Sequence, residues 1–440
     1  MTAKRHRVLI VGNGGREHAL AVKIAASPRV DQVYVAPGNA GTARMPGVEN
    51  IALAATDIDA LRDFARDNAV SLTVVGPEAP LAAGIVDCFE QAGLACFGPG
   101  RDAARLEASK AFSKDFLARH AIPTADYAVF SEYDQAAAYI RDVGAPIVVK
   151  ADGLAAGKGV FLADSEQAAL AAARDMLEDN AFGDSGARIV VERFLTGEEA
   201  SFIALVDGKN ILPLASSQDH KAAHDGDTGP NTGGMGAYSP APVMTDAVFE
   251  RVMADVIEPT VAGMAADGNA FTGFLYAGLM IDEAGDARVL EFNVRLGDPE
   301  TQPILMRLQS DLVDLIEAAL NARLDQVEAE WDTRAALGVV MAAGGYPGSY
   351  EKGDEITGLD AAEATGAQVF HAGTRLADND KVLTDGGRVL CVCALGDDVA
   401  QAQARAYAGV EKISWRKAMY RRDIGHRAIS RETSATLNER

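Results

Sequence analysis

Glu291, Asn293 and Arg295 stand two residues apart in Val289-Leu290-Glu291-Phe292-Asn293-Val294-Arg295, a segment that reads as a short strand. A strand alternates its faces, so Leu290, Phe292 and Val294 are expected to point into a core and the three polar residues the other way. Successive members of the row then lie about 7 Å apart, at ~3.3 Å rise per residue. A carboxylate, an amide and a guanidinium so placed suit a divalent cation held by oxygens, with the arginine meeting the anion it accompanies. A half-exposed strand with a solvated polar face shows the same alternation. A tight turn, Leu296-Gly297-Asp298-Pro299-Glu300, follows.

Lysines supply the complementary charge. Pro146-Ile147-Val148-Val149-Lys150 reads as a strand ending in lysine, and Asp152-Gly153-Leu154-Ala155-Ala156-Gly157-Lys158-Gly159-Val160 as the flexible loop after it. A Walker A loop needs four residues between its glycines and a Ser or Thr after the lysine. Here three residues intervene and Gly159 follows Lys158, so this is no P-loop. A glycine-rich hairpin flanked by lysines can still fold over a triphosphate, as glycine-rich loops do in kinases. A plain solvated hairpin is the other reading.

Gly12-Asn13-Gly14-Gly15-Arg16-Glu17 follows a strand-like Arg7 to Val11. It fails as a dinucleotide fingerprint: Glu17 stands at the third glycine, and Ala36-Pro37 stands where the ribose acid belongs. Asp31 lies before that second strand rather than at its end. A glycine turn at a helix N-terminus still offers free N–H groups to a sugar phosphate, or it is simply a turn. Glu192-Arg193-Phe194-Leu195 and Glu198-Glu199 lie on a strand–loop–strand whose acids can accept from adenine and ribose, though Glu-rich loops are common. Two polar, glycine-rich stretches, 216–221 and 228–238, are long enough to suggest function. His220 within them reads as a base or as a positioning residue, and no second His or Cys at ligand spacing supports zinc.

The elements that must hold these groups alternate. Arg7–Val11, Gln32–Ala36, Leu72–Val75 and Ala95–Phe97 read as strands separated by helical stretches such as 58–68, which implies a parallel, doubly wound sheet. Each of the first three ends in a glycine turn, at the edge where such sheets bind ligands. One helix is expected from Arg101 to His120, stopped by Ile122-Pro123, then a small α+β module to about Val191, and longer strands and helices to Leu324. Leu337–Ala343, Gly387–Leu395 and a helix over 400–410 suggest a separate C-terminal unit, with a frayed tail over 431–440. The resulting domains are 1–104, 105–325 with a lid over about 124–190, and 326–430.

The chain has 440 residues, 48% of them hydrophobic and 24% charged, with a formal charge of −22. That balance gives ample core and argues against general nucleic-acid binding, which needs a basic surface. No apolar run reaches the roughly 18 residues of a membrane helix, and Lys4-Arg5-His6-Arg7 leads straight into a strand rather than into a secretion signal. Cys88, Cys96, Cys391 and Cys393 form no C-x-x-C pair and read as buried reduced thiols of a cytoplasmic protein.

Gly-Asn-Gly-Gly-Arg-Glu-His at 12–18, Pro-Gly-Asn-Ala-Gly at 37–41, Val-Gly-Pro-Glu-Ala-Pro-Leu at 75–81, Lys-Ala-Asp-Gly-Leu-Ala-Ala-Gly-Lys-Gly-Val at 150–160, Gln-Asp-His-Lys at 218–221, Gly-Pro-Asn-Thr-Gly-Gly-Met-Gly-Ala-Tyr at 229–238 and the 291–302 stretch occur in one order. Together they resemble the glycinamide ribonucleotide synthetases of purine biosynthesis, which are ATP-grasp ligases, from about residue 7 to about 430. One departure is Leu296, where that family usually has Phe. An apolar swap on a core-facing side should not impair chemistry.

The resemblance implies a doubly wound N-terminal domain, an α+β ATP-grasp core with a small lid, and a C-terminal α/β domain. It implies that glycine and 5-phosphoribosylamine are joined with ATP, through glycyl phosphate, by a monomer or weak dimer. Lys110 and catalytic Lys150 would approach the phosphates, with Asp152, Gly153, Gly157, Lys158 and Gly159 closing over them. Glu192, Arg193, Phe194 and Leu195 would line the adenine and Glu199 would accept from the ribose. Glu291 and Asn293 would hold Mg²⁺ or Mn²⁺, although 276–281 lacks the additional acid many ATP-grasp enzymes carry there. Arg295 would stabilise the transferring phosphoryl or the acyl oxygen. Asn13, Gly14, Gly15, Gly38, Asn39, Gly41, Pro77 and Glu78 would hold the ribosyl phosphate, with Asp219, His220, Lys221, Asn231, Gly233, Gly234 and Asp298 also on the substrates. Rival readings are another ATP-grasp carboxylate–amine ligase, differing at 12–18 and 229–238, a non-catalytic nucleotide sensor on the same scaffold, and a nicotinamide oxidoreductase.

Overall fold

The computed structural model describes residues 5–154, 159–179 and 183–438. Val8 to Val11 are fully buried on both sides, the pattern of a parallel strand covered on both faces. The N-terminal sheet has five parallel strands in the spatial order Val48–Asn50, Val30–Pro37, His6–Gly12, Leu72–Val75, Cys96–Phe97. Its order reverses between His6–Gly12 and Leu72–Val75, so the turns at 12–15 and 76–78 flank the switch point.

A four-stranded antiparallel sheet follows, ordered Ile211–Pro213, Glu198–Asp207, Thr272–Ile281, Ala287–Asn293. Between the two lies a separate module: strands Tyr127–Phe130, Ile189–Arg193, Ile147–Ala151 and Val160–Ala163 with helices Tyr133–Val143 and Glu166–Leu177. It has a small core of its own, built from residues such as Ile140, Val149, Ala169 and Val191.

The third large sheet, all antiparallel, runs Gln218–Asp219, Gly236–Ser239, Ala335–Ala342, Arg388–Gly396, Gln368–His371. Two of its strands thus come from the polar loop region of the preceding domain. Cys391 and Cys393 share one face there, buried and free, with sulfurs 3.6 Å apart.

Three local expectations need correction. The single helix expected over 101–120 is two, Arg101–Ala108 and Lys110–Arg119. Ser109 is extended between them, and its Oγ accepts from Phe112 N while donating to Asp152 Oδ1. Residues 431–438, expected to fray, continue the helix His426–Asn438, and Arg431 pairs with Glu198. Leu290 is not a core residue. A register shift against Gly278 and Leu279 makes a β-bulge at Leu290, so Val289 takes the core place beside Phe292 and Val294. Bulges commonly re-aim a side chain beside a binding site.

Candidate active site

Lid, core sheet and the helices 101–119 enclose a cavity of about 350 Å³. Glu107 reaches the cavity from the end of helix Arg101–Ala108, and Lys110 and Lys114, one turn apart on helix Lys110–Arg119, reach it from the next. The lid contributes Val148, Lys150, Val160 and Leu162, and its exit strand and hinge Glu192 to Leu195. The core sheet supplies Glu199, Tyr276, Met280, Leu290, Glu291 and Asn293, and the turn after it Arg295, Gly297, Asp298 and Glu300. Asp219, Lys221, Asn231 and Gly233 close the side next to the C-terminal sheet.

Lys150 Nζ donates to Leu290 O across 3.1 Å, so the lid lysine docks on the carbonyl exposed by the bulge. It also lies 2.8 Å from Glu192 Oε1, while Lys114 Nζ lies 2.8 Å from Glu192 Oε2. Both oxygens of Glu192 are engaged by lysines, so in this state its carboxylate holds cations rather than facing a base. Burial, against the pull of Glu192, lowers Lys114 to about 8. Lys110 is lowered too, mainly by burial, and its Nζ donates to Gly153 O at 3.1 Å.

Arg295 is enclosed by acids. Its Nη2 lies 2.7 Å from Glu107 Oε1 and donates to Asn293 Oδ1 at 3.0 Å. Its Nε stands 3.4 Å from Glu78 Oε2 without hydrogen-bond alignment. Burial raises Glu107 to about 7 even though Arg295 and the Val294 N–H oppose it. Burial also raises Asp219 to about 7, with Lys221 opposing and Glu300, Glu199 and Glu291 adding to the rise. Burial would raise Glu291 as well, but Lys221, Lys150, Lys110 and Arg295 hold it below its ordinary range. Its carboxylate takes no hydrogen bond among the described residues.

Among the described lining residues, carboxylates outnumber cations: Glu78, Glu107, Glu192, Glu199, Asp219, Glu291, Asp298 and Glu300 against Lys110, Lys114, Lys150, Arg193, Lys221 and Arg295. A polyphosphate brought here needs an added cation, and a free, ionised Glu291 beside an amide oxygen is the donor set a hard divalent ion takes.

The raised Glu107 gives a pH test. A carboxyl whose folded value is above its unfolded one contributes stability that is present at low pH and lost as pH rises through the folded value. Glu107→Gln removes that loss. The variant should gain on the parent by about 2 kcal/mol between pH 5 and pH 8. Urea denaturation of the ligand-free proteins measures it, and an equal difference at both pH values would show that Glu107 ionises normally.

Several expected site residues lie elsewhere. Gly14 N donates to Glu17 Oε2 at 2.5 Å, Arg16 N faces Asp298 Oδ2 at 3.4 Å, and Arg16 Nη1 donates to Leu296 O. A Cβ on Gly76 would fall 2.0 Å from Glu17 Oε1. Glu17 thus packs between the two turns of the switch point, and Asn13, Gly14, Gly15 and Pro77 do not line the cavity themselves but lie beside it, Gly14 next to Asp298. Asn39 caps the short helix Ala40–Arg44 and donates to His371 O. Gly38 packs on Asn50, and Gly41 on His18. Asp152 binds Ala111 N, Ser109 Oγ and Arg188, stapling the lid to helix Lys110–Arg119. Gly153 packs on Ser185. Gly159 lines the cavity, whereas Gly157 and Lys158 lie outside the described residues. Gly234 is outside the lining and donates to Oγ1 of Thr232, which is part of it. His220 faces away, because the pleat that turns Asp219 and Lys221 inward turns it outward.

Glu107, Lys114 and Glu300 were missed. The first two carried a signal, being a turn's spacing either side of Lys110 in the one helix expected there. Glu300 is buried and accepts from Ser201 Oγ at 3.2 Å and Tyr276 OH at 3.0 Å, groups about a hundred and two dozen residues back in the chain.

Comparison with known proteins agrees with this architecture. Residues 6–107, 108–301 and 336–427 match the family models described as the N domain, the ATP-grasp (A) domain and the C domain of phosphoribosylglycinamide synthetase. The chain is 66% identical to the phosphoribosylamine–glycine ligase of Allochromatium vinosum, over 97% of its own length and 100% of that relative. It is 63% identical to the Escherichia coli K12 protein of the same name, over 97% and 99%. The crystal structure of that ligase from Thermotoga maritima superposes with a TM-score of 0.81 at 34% identity, covering 95% of this chain and 100% of that one. A biotin carboxylase from Campylobacter jejuni shares the fold, with a TM-score of 0.71 at 14% identity over 94% and 93%. Matched by all three domain models and by relatives over nearly their whole length, the chain belongs to the phosphoribosylglycinamide synthetase family.

Proposed function

We infer that this chain ligates glycine to 5-phosphoribosylamine with ATP, giving glycinamide ribonucleotide, ADP and phosphate. The observation that carries the reading is the meeting of lid lysine Lys150, helix lysine Lys110 and the free Glu291 carboxylate in one cavity. Transfer of a phosphoryl group to the glycine carboxylate brings two anions together, so positive groups must be fixed in place beforehand. Lys110 and Lys150 do so for the triphosphate, with Lys114 and Glu192 keeping Lys150 directed. Glu291 and Asn293 would hold a divalent Mg²⁺ or Mn²⁺, which would supply further neutralisation of the phosphate charge.

Apolar Val148, Val160, Leu162, Met280, Leu290 and the hinge residues Phe194 and Leu195 offer the flat surface a purine needs. Glu199 accepts from the ribose. Arg295, fixed between Glu107 and Glu78, faces the anionic oxygen of the glycyl phosphate. Asp219 and Lys221 sit on the opposite wall, where an ammonium and a carboxylate or phosphate of the two smaller substrates find partners. The lid covers the acyl phosphate and keeps water from it. No membrane-length apolar helix occurs among the described residues, and the free thiols fit a cytoplasmic setting.

ADP release measured with all three substrates, and with glycine or freshly generated 5-phosphoribosylamine left out in turn, tests the reading. Release is expected to require both. Unchanged release when either is omitted would rule the ligation out.

A further inference from the structure

His220 stands between two cavity residues and faces the other way. Its Nε2 accepts from Gly425 N at 3.0 Å, which leaves the ring proton on Nδ1, 3.5 Å from Asp227 Oδ1. Asp227 in turn lies 2.8 Å from Arg421 Nη1 and 2.6 Å from Arg427 Nη2. Arg421 is among the largest fully buried side chains, and its Nε and Nη2 both bind Asp423 at 2.8 Å.

The backbones are joined as well. Arg421 Nη1 donates to Ala222 O at 3.2 Å, Gly226 N to Asp423 Oδ2 at 2.8 Å and Arg422 N to Asp225 Oδ1 at 2.7 Å. Asp227 itself has a left-handed backbone, φ 54°, a conformation non-glycine residues hold only when their surroundings enforce it. The trio His220, Asp227 and His426 is close enough for a metal. However, two guanidiniums occupy Asp227 and a backbone N–H occupies His220 Nε2, so the cluster is a clamp instead.

We propose that Arg421, Asp227 and His220 are positioning residues: through them the segment 421–427 of the C-terminal domain sets Asp219 and Lys221 against the reacting substrates. Residues 219–221 run extended beyond the short strand and are tied on both sides, His220 N donating to Gly236 O at 2.9 Å while His220 O accepts from Met235 N and Lys221 O from Thr232 N, both at 2.8 Å, so a displacement of His220 passes to its two neighbours. Loosening the outer face moves the inner one. The proposal rests on the reading of the cavity given above.

The test is a double-substitution cycle in the full chain: Asp227→Asn, Lys221→Met, and both together. Asp227→Asn should lower kcat about tenfold to a hundredfold, the size of effect a shift of ~1 Å in a positioned group produces. If the clamp acts through the inner face, the double variant loses clearly less than the product of the two single losses, the remainder passing through Asp219; independent global weakening would instead multiply the two losses. Arg427→Gln, at the exposed edge of the clamp, carries the same cycle if Asp227→Asn does not fold. Multiplied losses, or parent-like kcat in both clamp variants beside a crippled Lys221→Met, overturn the clamp alone. Parent-like turnover in Lys221→Met overturns the reading of that cavity wall, and the clamp with it.

Discussion

Glu291→Ala should lower turnover by about a thousandfold or more while leaving the fold intact. Glu291 is the cavity carboxylate that stays ionised without spending its oxygens on a protein partner: four cations hold its proton affinity down, yet none is within hydrogen-bonding distance among the described residues. A cation bound there contributes several kcal/mol of charge stabilisation to phosphoryl transfer, and ~1.4 kcal/mol is a factor of ten. Stability should change little, because the side chain makes no buried hydrogen bond that its loss would orphan. Glu291→Gln separates the charge from the shape and should be nearly as slow. The measurement is kcat against Mg²⁺ and Mn²⁺ concentration, with a thermal midpoint for each variant. Turnover within about tenfold of the parent at ordinary Mg²⁺ would place the metal on other residues.

The parts of this site that sequence makes legible are those set by local geometry. Glycine turns after β-branched runs mark strand ends, and a polar–apolar alternation marks Glu291, Asn293 and Arg295 as neighbours on one face. What escapes is set by partners far along the chain. Leu290 alternates as a core residue, yet the register of Gly278 and Leu279 bulges it toward the cavity. Glu107 meets Val294 N from 187 residues away, so nothing near either residue announces the contact. Asn39 and Asp152 have the residue types of ligand donors, but a helix cap and a lid staple use them first. The turn at 12–15 has the composition of a phosphate loop, and the chain's own Glu17 takes the N–H of Gly14. His220 shows the sharpest limit: its type suggests chemistry, whereas the facing of the extended residues after Asp219, held by Gly425 across 205 positions, decides its role.

Arg295→Met should be the most damaging single change, because it removes a catalytic charge and a structural one together. Glu107 is buried with its Oε1 on Arg295 and its Oε2 on Val294 N, and Glu78 stands on the other side. Without the guanidinium the two acids face each other across an apolar side chain. Breaking one partner out of a buried pair costs about 3–5 kcal/mol, and protonation of Glu107, already raised to about 7, returns part of it as pH falls. The variant is therefore expected to be markedly less stable than the parent at pH 8 and less so at pH 6. Lysine is a poor substitute, since one ammonium cannot span Glu107, Asn293 and Glu78. Adding Glu107→Gln removes the uncompensated charge and should recover most of the lost stability, as read from the urea midpoint. It should recover no turnover, because the oxygen of the acyl phosphate still lacks its partner; a loss of about a hundredfold to a thousandfold is expected to persist. Stability and turnover returning together in the double variant would make Arg295 a structural counter-ion and shift the burden of charge stabilisation to Lys110 and Lys150.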